Sequence, residues 1–202
     1  MWVIKLGGSL LGDARLTDWL ALVEQLGGGR VTLVCGGGTL ADEVRRLQAR
    51  WQVDDLTAHN MAVLTMVQNA HLLQALAPTL QPVAREADIM PTLRRGGVAL
   101  WMPLDLLRAR PDPDTSWDVT SDSIALALAQ RLHAERLVVV KSCEIDERLT
   151  LDQLGDLDIL DRRFATLAAT GSVPIDVLCR SQVEVLRGGL LGACEGGSRR
   201  YG

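Results

Sequence analysis

Lysine is almost missing from this chain. Of its 21 lysines and arginines, only Lys5 and Lys141 are lysines. Phe and Tyr occur once each, so Leu, Val and Ala must fill the core that a 48% hydrophobic composition supplies. No apolar run approaches the roughly 20 residues of a membrane-spanning helix, which argues against a membrane partner. A basic stripe interleaved with aromatics is lacking too, and the net charge is −4, which argues against nucleic acid. Cys35, Cys143, Cys179 and Cys194 form no CxxC pair and have no histidine at zinc spacing. No metal site is expected from them, and they read as small buried hydrophobes. Met1 leads directly into an apolar run without the pattern of a leader peptide, so a soluble cytoplasmic chain is expected.

What is present is an alternation of strand-like and helix-like segments. Trp2–Leu6, Arg30–Cys35, Val98–Met102, Leu137–Val140 and Ile175–Leu178 are strand-like runs dominated by apolar residues. Between them, Leu16, Trp19, Leu20 and Val23 follow helical spacing, as do Leu40, Val44, Leu47 and Trp51. A longer helix is expected from Leu56 to Leu76 through Ala62, Met66, Ala70 and Leu73, and another through Ile124, Leu128 and Leu132. Uninterrupted apolar strands between helices predict an α/β fold, a three-layer αβα sandwich on a mostly parallel sheet. The proline-rich Arg108–Ser116 stretch opposes helix and strand alike. It divides one expected domain, 1–202, into lobes at 1–115 and 116–202. The stretch Leu149–Leu160 reads as either helix or loop, and the glycine-rich tail from Gly188 is expected to fray.

Both lysines stand where an apolar run ends. In an Arg-rich chain, a retained ammonium supplies a compact, mobile point charge rather than a flat fork. Lys5 opens Lys5-Leu6-Gly7-Gly8-Ser9, and glycine lets backbone N–H groups approach an anion closely. A second run, Gly36-Gly37-Gly38, precedes the helix near Thr39, which puts free N–H groups and a positive helix end together. A third segment, Asp118–Ser123, opens the 124–132 helix, with Thr120 or Ser121 as its N-cap and Asp122 in its first turn. Each has a plainer reading. The glycines suit tight turns, and Asp122 suits the helix dipole, worth about 0.3–1 kcal/mol. Neither GxGxxG after a strand nor GxxxxGK[ST] occurs, so a Walker-type loop is excluded.

In that order, Val3-Ile4-Lys5-Leu6-Gly7-Gly8-Ser9, Val34-Cys35-Gly36-Gly37-Gly38-Thr39 through Arg45, and Thr120-Ser121-Asp122-Ser123 resemble the amino acid kinase family. That family includes acetylglutamate, uridylate, glutamate and isopentenyl phosphate kinases, and the resemblance covers most of residues 1–140. Within it, Ser116–Ser123, the His59–Met66 helix and Pro103 look most like the small-phosphate kinases of methanofuran-type cofactor synthesis. The resemblance implies phosphoryl transfer from ATP, with Mg²⁺ carried on the ATP phosphates, to a small acceptor in the N-terminal lobe. It implies that Lys5 touches the transferring group, with Gly7, Gly8 and Ser9 lining its cradle. Gly36, Gly37 and Gly38 would hold the acceptor, together with Ser121, while Arg45 would reach an acceptor phosphate and Asp122 would orient the lysines. His59 and Trp117 are further substrate contacts under this reading; core or helix-end roles are their alternatives. A homo-oligomer is implied by analogy.

After residue 140 the pattern departs from the family. Where its Thr/Asp-x-Asp-Gly stretch belongs, the chain reads Lys141-Ser142-Cys143-Glu144-Ile145-Asp146, without glycine. No later lysine supplies the family's C-terminal cation. Lys141 is the expected substitute, reaching phosphates from a strand end, with a structural pairing to Glu144 or Asp122 as the alternative. A non-catalytic binding or assembly subunit is the competing class of function, and a uridylate or isopentenyl phosphate kinase-like enzyme the competing chemistry.

Overall fold

In the computed structural model, which describes residues 1–192 and the backbone of 200–201, the strands form a single sheet. The chain begins β1 (Trp2–Leu6), α1 (Leu16–Leu26), β2 (Val31–Cys35), α2 (Gly38–Trp51) and α3 (Asp55–Leu76). Next come β3 (Gln81–Val83), α4 (Ile89–Arg94) and β4 (Ala99–Trp101). An irregular stretch then leads to α5 (Ser121–Arg131) and β5 (Arg136–Lys141). The rest is α6 (Leu151–Asp156), α7 (Phe164–Ala168), β6 (Ile175–Cys179), α8 (Val183–Leu190) and β7 (Arg200–Tyr201).

The sheet order is β3-β4-β2-β1-β5-β6-β7. All neighbours are parallel except β6 and β7. The expected α/β sandwich is thus the observed fold. Every residue of β2 and β6 is buried, because helices cover both faces of the sheet. One core gathers Ile4, Leu6, Trp19, Leu73 and Leu186; the other gathers Val3, Val34, Val139, Leu126 and Phe164.

This topology fixes where a ligand can enter. From β1 the chain passes to β2, then to the edge strand β3 and back to β4 between β3 and β2, before it returns to place β5 on the opposite side of β1. Such a reversal leaves a crevice beyond the carboxyl ends of the adjoining strands. Side chains two apart on a strand share a face. Lys5 therefore leaves the sheet on the side of Val3, and Lys141 on the side of Val139, both in the layer that contains α5. In register, Lys5 lies opposite Val139, so the two ammonium groups rise one pleat apart at the same crevice.

Several elements differ from the sequence reading. β3 is three residues long, with Pro82 at its centre and two exposed positions, and gives no apolar run. Gly188 and Gly189, expected in a fraying tail, lie inside α8. A Cβ on Gly189 would sit 2.9 Å from the Trp2 ring, so glycine lets the helix lie against β1. Residues 193–199 and 202 of that tail, Cys194 among them, lie outside the described residues. Helix α2 has the expected period but not the expected burial: only Val44 is buried, and Trp51 is 66% exposed. Cys35 and Cys179 are buried as expected, whereas Cys143 is exposed. The ambiguous stretch resolves into α6, whose N-cap Thr150 and Gln153 form a reciprocal capping box, followed by a loop.

Phe164 is fully buried and ties α7 into the core beneath α5. Phe164→Ala should cost about 3–5 kcal/mol and lower the thermal midpoint by several degrees, as read by calorimetry.

Candidate active site

The crevice is built from three junctions, two where a strand ends and one where a helix begins. At the first, β1 runs into Gly7, whose N–H bonds to the Val140 carbonyl at 2.9 Å. At the second, the Gly36 N–H bonds to the Leu6 carbonyl, also at 2.9 Å. Those two amides extend the sheet ladder and are spent on it, so the outer glycines do the shaping. Gly8 passes so close to Gly38 that a Cβ on Gly8 would lie 2.0 Å from the Gly38 nitrogen. Gly38 itself has φ +55, a left-handed conformation that disfavours a side chain. No side chain caps the first turn of α2. The buried Asn69 of α3 holds the loop from below, donating to the Gly36 and Gly37 carbonyls at 2.8 Å each.

At the third junction, α5 begins after Thr120 and presents Asp122 in its first turn. Lys5 Nζ lies 2.8 Å from Asp122 Oδ1, and Lys141 Nζ lies 2.6 Å from Oδ2. All three side chains are mostly buried, with Lys141 the most open at 14%. Burial by itself would push Asp122 up, but the two ammonium charges and their hydrogen bonds outweigh it and hold the carboxyl below its usual range. Lys141 is pulled down by burial and by the neighbouring charge of Lys5, with Asp122 opposing. Cys35, buried below Lys5, is pushed up to about 12 by desolvation and stays an inert thiol.

Above this trio opens a cleft of about 250 Å³, lined by Lys5, Gly8, Ser9, Gly37, Gly38 and Ser121 at its base. Arg45, His59 and Trp117 line its outer part. Arg45 pairs with Asp42 at 3.0 Å while its guanidinium stacks 4.2 Å above the Trp117 ring. Trp117 Nε1 donates to Gln48 Oε1 at 2.6 Å, and Gln48 Nε2 in turn donates to Asp55 at 2.8 Å. His59 Nε2 lies 3.1 Å from the Leu106 carbonyl, so that nitrogen carries the proton. Burial holds its pKa below the usual histidine range, leaving the ring neutral near pH 7 with a lone pair on Nδ1. At the opposite rim the Ser9 and Ser142 hydroxyls meet at 2.7 Å.

The structure therefore brings Lys5, Gly8, Ser9, Gly37, Gly38, Arg45, His59, Trp117, Ser121, Asp122 and Lys141 to one cleft. Gly7 and Gly36 stand behind it rather than in its lining. Asn69, Gln48 and Asp161 support the site without having been singled out from sequence. Only spatial contacts distinguish them, with partners from 32 to 69 residues away. Two buried cations held by one acid, beside backbone amides too close-packed to admit side chains, can receive an anion with several oxygens.

Residues 1–144 match the model of the amino acid kinase family, and the chain belongs to that family. A curated relative is the [5-(aminomethyl)furan-3-yl]methyl phosphate kinase of Methanocaldococcus jannaschii, 22% identical over 140 residues. The match covers 69% of this chain and 64% of that protein's length. Among solved structures, the fold is similar to UMP kinase from Bacillus anthracis, with a TM-score of 0.71 at 17% identity, over 100% of this chain and 98% of that one. Uridylate kinase from Archaeoglobus fulgidus is similar with a TM-score of 0.69 at 16% identity, over 95% of both chains. The curated homologue and these fold neighbours are all kinases.

Asp122 has a pH signature. Its folded pKa is depressed, so its stabilisation is complete above the ordinary carboxylate value of about 3.9 and disappears as pH falls through the lower folded value. Asp122→Asn leaves two buried ammonium groups without a counter-charge and should cost about 3 kcal/mol at pH 7. In denaturant titrations the gap between wild type and variant should stay level from pH 7 to 5 and narrow in more acidic buffer; a gap that widened there would contradict the pairing.

Proposed function

We propose that this chain is a phosphotransferase that moves the terminal phosphoryl group of ATP to a small phosphate-bearing acceptor. The observation that carries the reading is the placement of Lys5 and Lys141 on one carboxylate at the crevice between β1 and β5. Phosphoryl transfer asks a protein mainly for alignment and neutralisation of developing charge. Lys5 and Lys141 would meet oxygens of the transferring group from two strand ends, and Asp122 keeps the cations in place despite their mutual repulsion. Gly8, Gly37 and Gly38 let backbone amides share the same anion. Mg²⁺ would come with the ATP phosphates, whose charge it offsets; among the described residues no cluster of three or more His, Cys, Asp or Glu side chains offers a metal cage.

The acceptor is assigned to the part formed by residues 1–115 and the nucleotide to that formed by 116–202. Arg45 over Trp117 suits a flat ring carrying an anionic group, and His59 as a neutral ring suits a hydroxyl or ammonium donor. Asp55 on the cleft wall adds a carboxylate for an amine. An aminomethylfuran phosphate of the methanofuran type combines these features, and the named relative supports it. A uridylate-type acceptor is the second candidate on the likeness of fold. A homo-oligomer is assigned to the exposed leucines of α3, Leu64, Leu72 and Leu76, which share one side of that helix.

Millimolar Mg-ATP should raise the thermal midpoint by a few degrees, and product mass should reveal transfer to one member of a panel of small phosphates. Lys5→Met should abolish turnover in a protein that melts as one cooperative unit. If Mg-ATP gives neither a thermal shift nor a calorimetric signal, the chain is a binding or assembly subunit and the kinase reading fails.

A further inference from the structure

A carboxylate outside the cleft trio controls the turn that carries Asp122. Asp161 lies between α6 and α7, beyond the residues that match the family model. Its Oδ2 accepts the Thr120 N–H, the Thr120 hydroxyl and the Ser123 N–H, each at 2.9 Å. Its Oδ1 accepts the Ser123 hydroxyl. All four donors come from the two residues that bracket Ser121 and Asp122.

The pattern is unusual for a helix start. An N-cap residue ordinarily supplies its own oxygen to the first-turn amides, but the N-cap Thr120 makes no side-chain cap bond. It donates its hydroxyl to Asp161 instead, and a residue 38 positions beyond Ser123 takes the amide that a cap would take. The consequence falls on Asp122. A carboxylate in the first turn of a helix is drawn toward its own exposed amides. With the Ser123 amide already engaged, both Asp122 oxygens are left for Lys5 and Lys141.

We infer that Asp161 is a positioning residue: by clamping the Thr120–Ser123 turn from outside, it sets Asp122 between the two lysines. A catalytic role for that trio rests on the proposed kinase function; its positioning by Asp161 does not. Asp161 is itself held in place from α7, where the Phe164 N–H bonds to its carbonyl at 3.1 Å, and by the Arg163 N–H on the Asp118 carbonyl at 3.0 Å. The charged groups facing it are Asp122 from α5, which repels it, and Lys141 from β5, which attracts it, with Lys5 of β1 behind Asp122. Burial, followed by Asp122, raises the pKa of Asp161, while its hydrogen bonds oppose the rise. A group with no task beyond capping a helix would be better placed away from a like charge. Its position next to Asp122 and Lys141 links the 144–170 segment to the geometry of the cleft.

The scarcity of lysine makes a direct test available. Full-length protein labelled with [13Cε]lysine gives two side-chain signals, one each for Lys5 and Lys141, assigned with Lys141→Arg. Both are titrated in wild type, Asp161→Asn and Asp161→Ala, without any substrate. The inference predicts that in folded Asp161→Ala both signals move, the Lys5 signal being the decisive one, because Asp122 swings away from both cations. In Asp161→Asn, which retains an oxygen for the amides, the Lys5 signal should stay close to wild type. If Asp161 only stabilises the helix, the melting point drops and the Lys141 signal responds to the lost charge alone, while the Lys5 signal in the folded variants stays at its wild-type position, and the inference is overturned. Loss of helical circular dichroism in both variants would likewise overturn it, making Asp161 a residue of core stability. Where turnover is measurable, Asp161→Ala should lower kcat about tenfold or more with little change in KM. Absence of turnover in wild type would remove the kinase reading and leave the lysine result to decide this one.

Discussion

Asp122 holds Lys5 and Lys141 together, and the architecture of the cleft follows from that contact. Two ammonium groups at the ends of β1 and β5 would repel each other and shed their protons in a buried site. One carboxylate with an oxygen for each makes the arrangement tolerable, at 2.8 Å and 2.6 Å. Two ammonium groups against one carboxylate leave the trio with one excess positive charge, which an anion can offset. The same arrangement explains why the chain, otherwise supplied with arginine, keeps lysine at both places. A guanidinium is a flat fork suited to bidentate contacts, whereas a compact ammonium can turn from a carboxylate to a phosphate oxygen.

Everything around the trio serves its placement. The strand order brings β1 beside β5, and side-chain alternation sends both lysines to the α5 face. Glycines at 8 and 38 let two loops close to backbone contact, which a single added Cβ would prevent. Asn69 secures one loop from α3, and Asp161 secures the start of α5 from the far segment of the chain. The outer wall, with Arg45 stacked on Trp117 and Gln48 bridging to Asp55, is a separate hydrogen-bonded unit suited to selecting what enters.

Much of this was legible from residue order. Parallel strands buried on both faces leave uninterrupted apolar runs, so β1, β2, β4, β5 and β6 could be read almost to the residue. The lysines, the glycine runs and Asp122 could be chosen because each sits at an element boundary. What was not legible depends on contacts across the chain. β3 has too few residues and a central proline; α8 includes two glycines whose tolerance comes from Trp2 lying beneath one of them. The period of α2 was read correctly, but period alone does not say that Leu40 and Trp51 remain exposed. Gly7 and Gly36 illustrate a finer limit: their type fits a phosphate cradle, yet their amides complete the sheet. Asp161 lies in a stretch rich in Asp and Leu with no local mark to separate it from its neighbours.

The most direct test of phosphate handling by the two lysines is a crystal structure with a non-hydrolysable Mg-ATP analogue. The account predicts the terminal phosphate above Gly8, with oxygens about 3 Å from both Lys5 Nζ and Lys141 Nζ. A terminal phosphate bound elsewhere, with the Lys5–Asp122–Lys141 contacts closed beneath an empty crevice at saturating ligand, would contradict it.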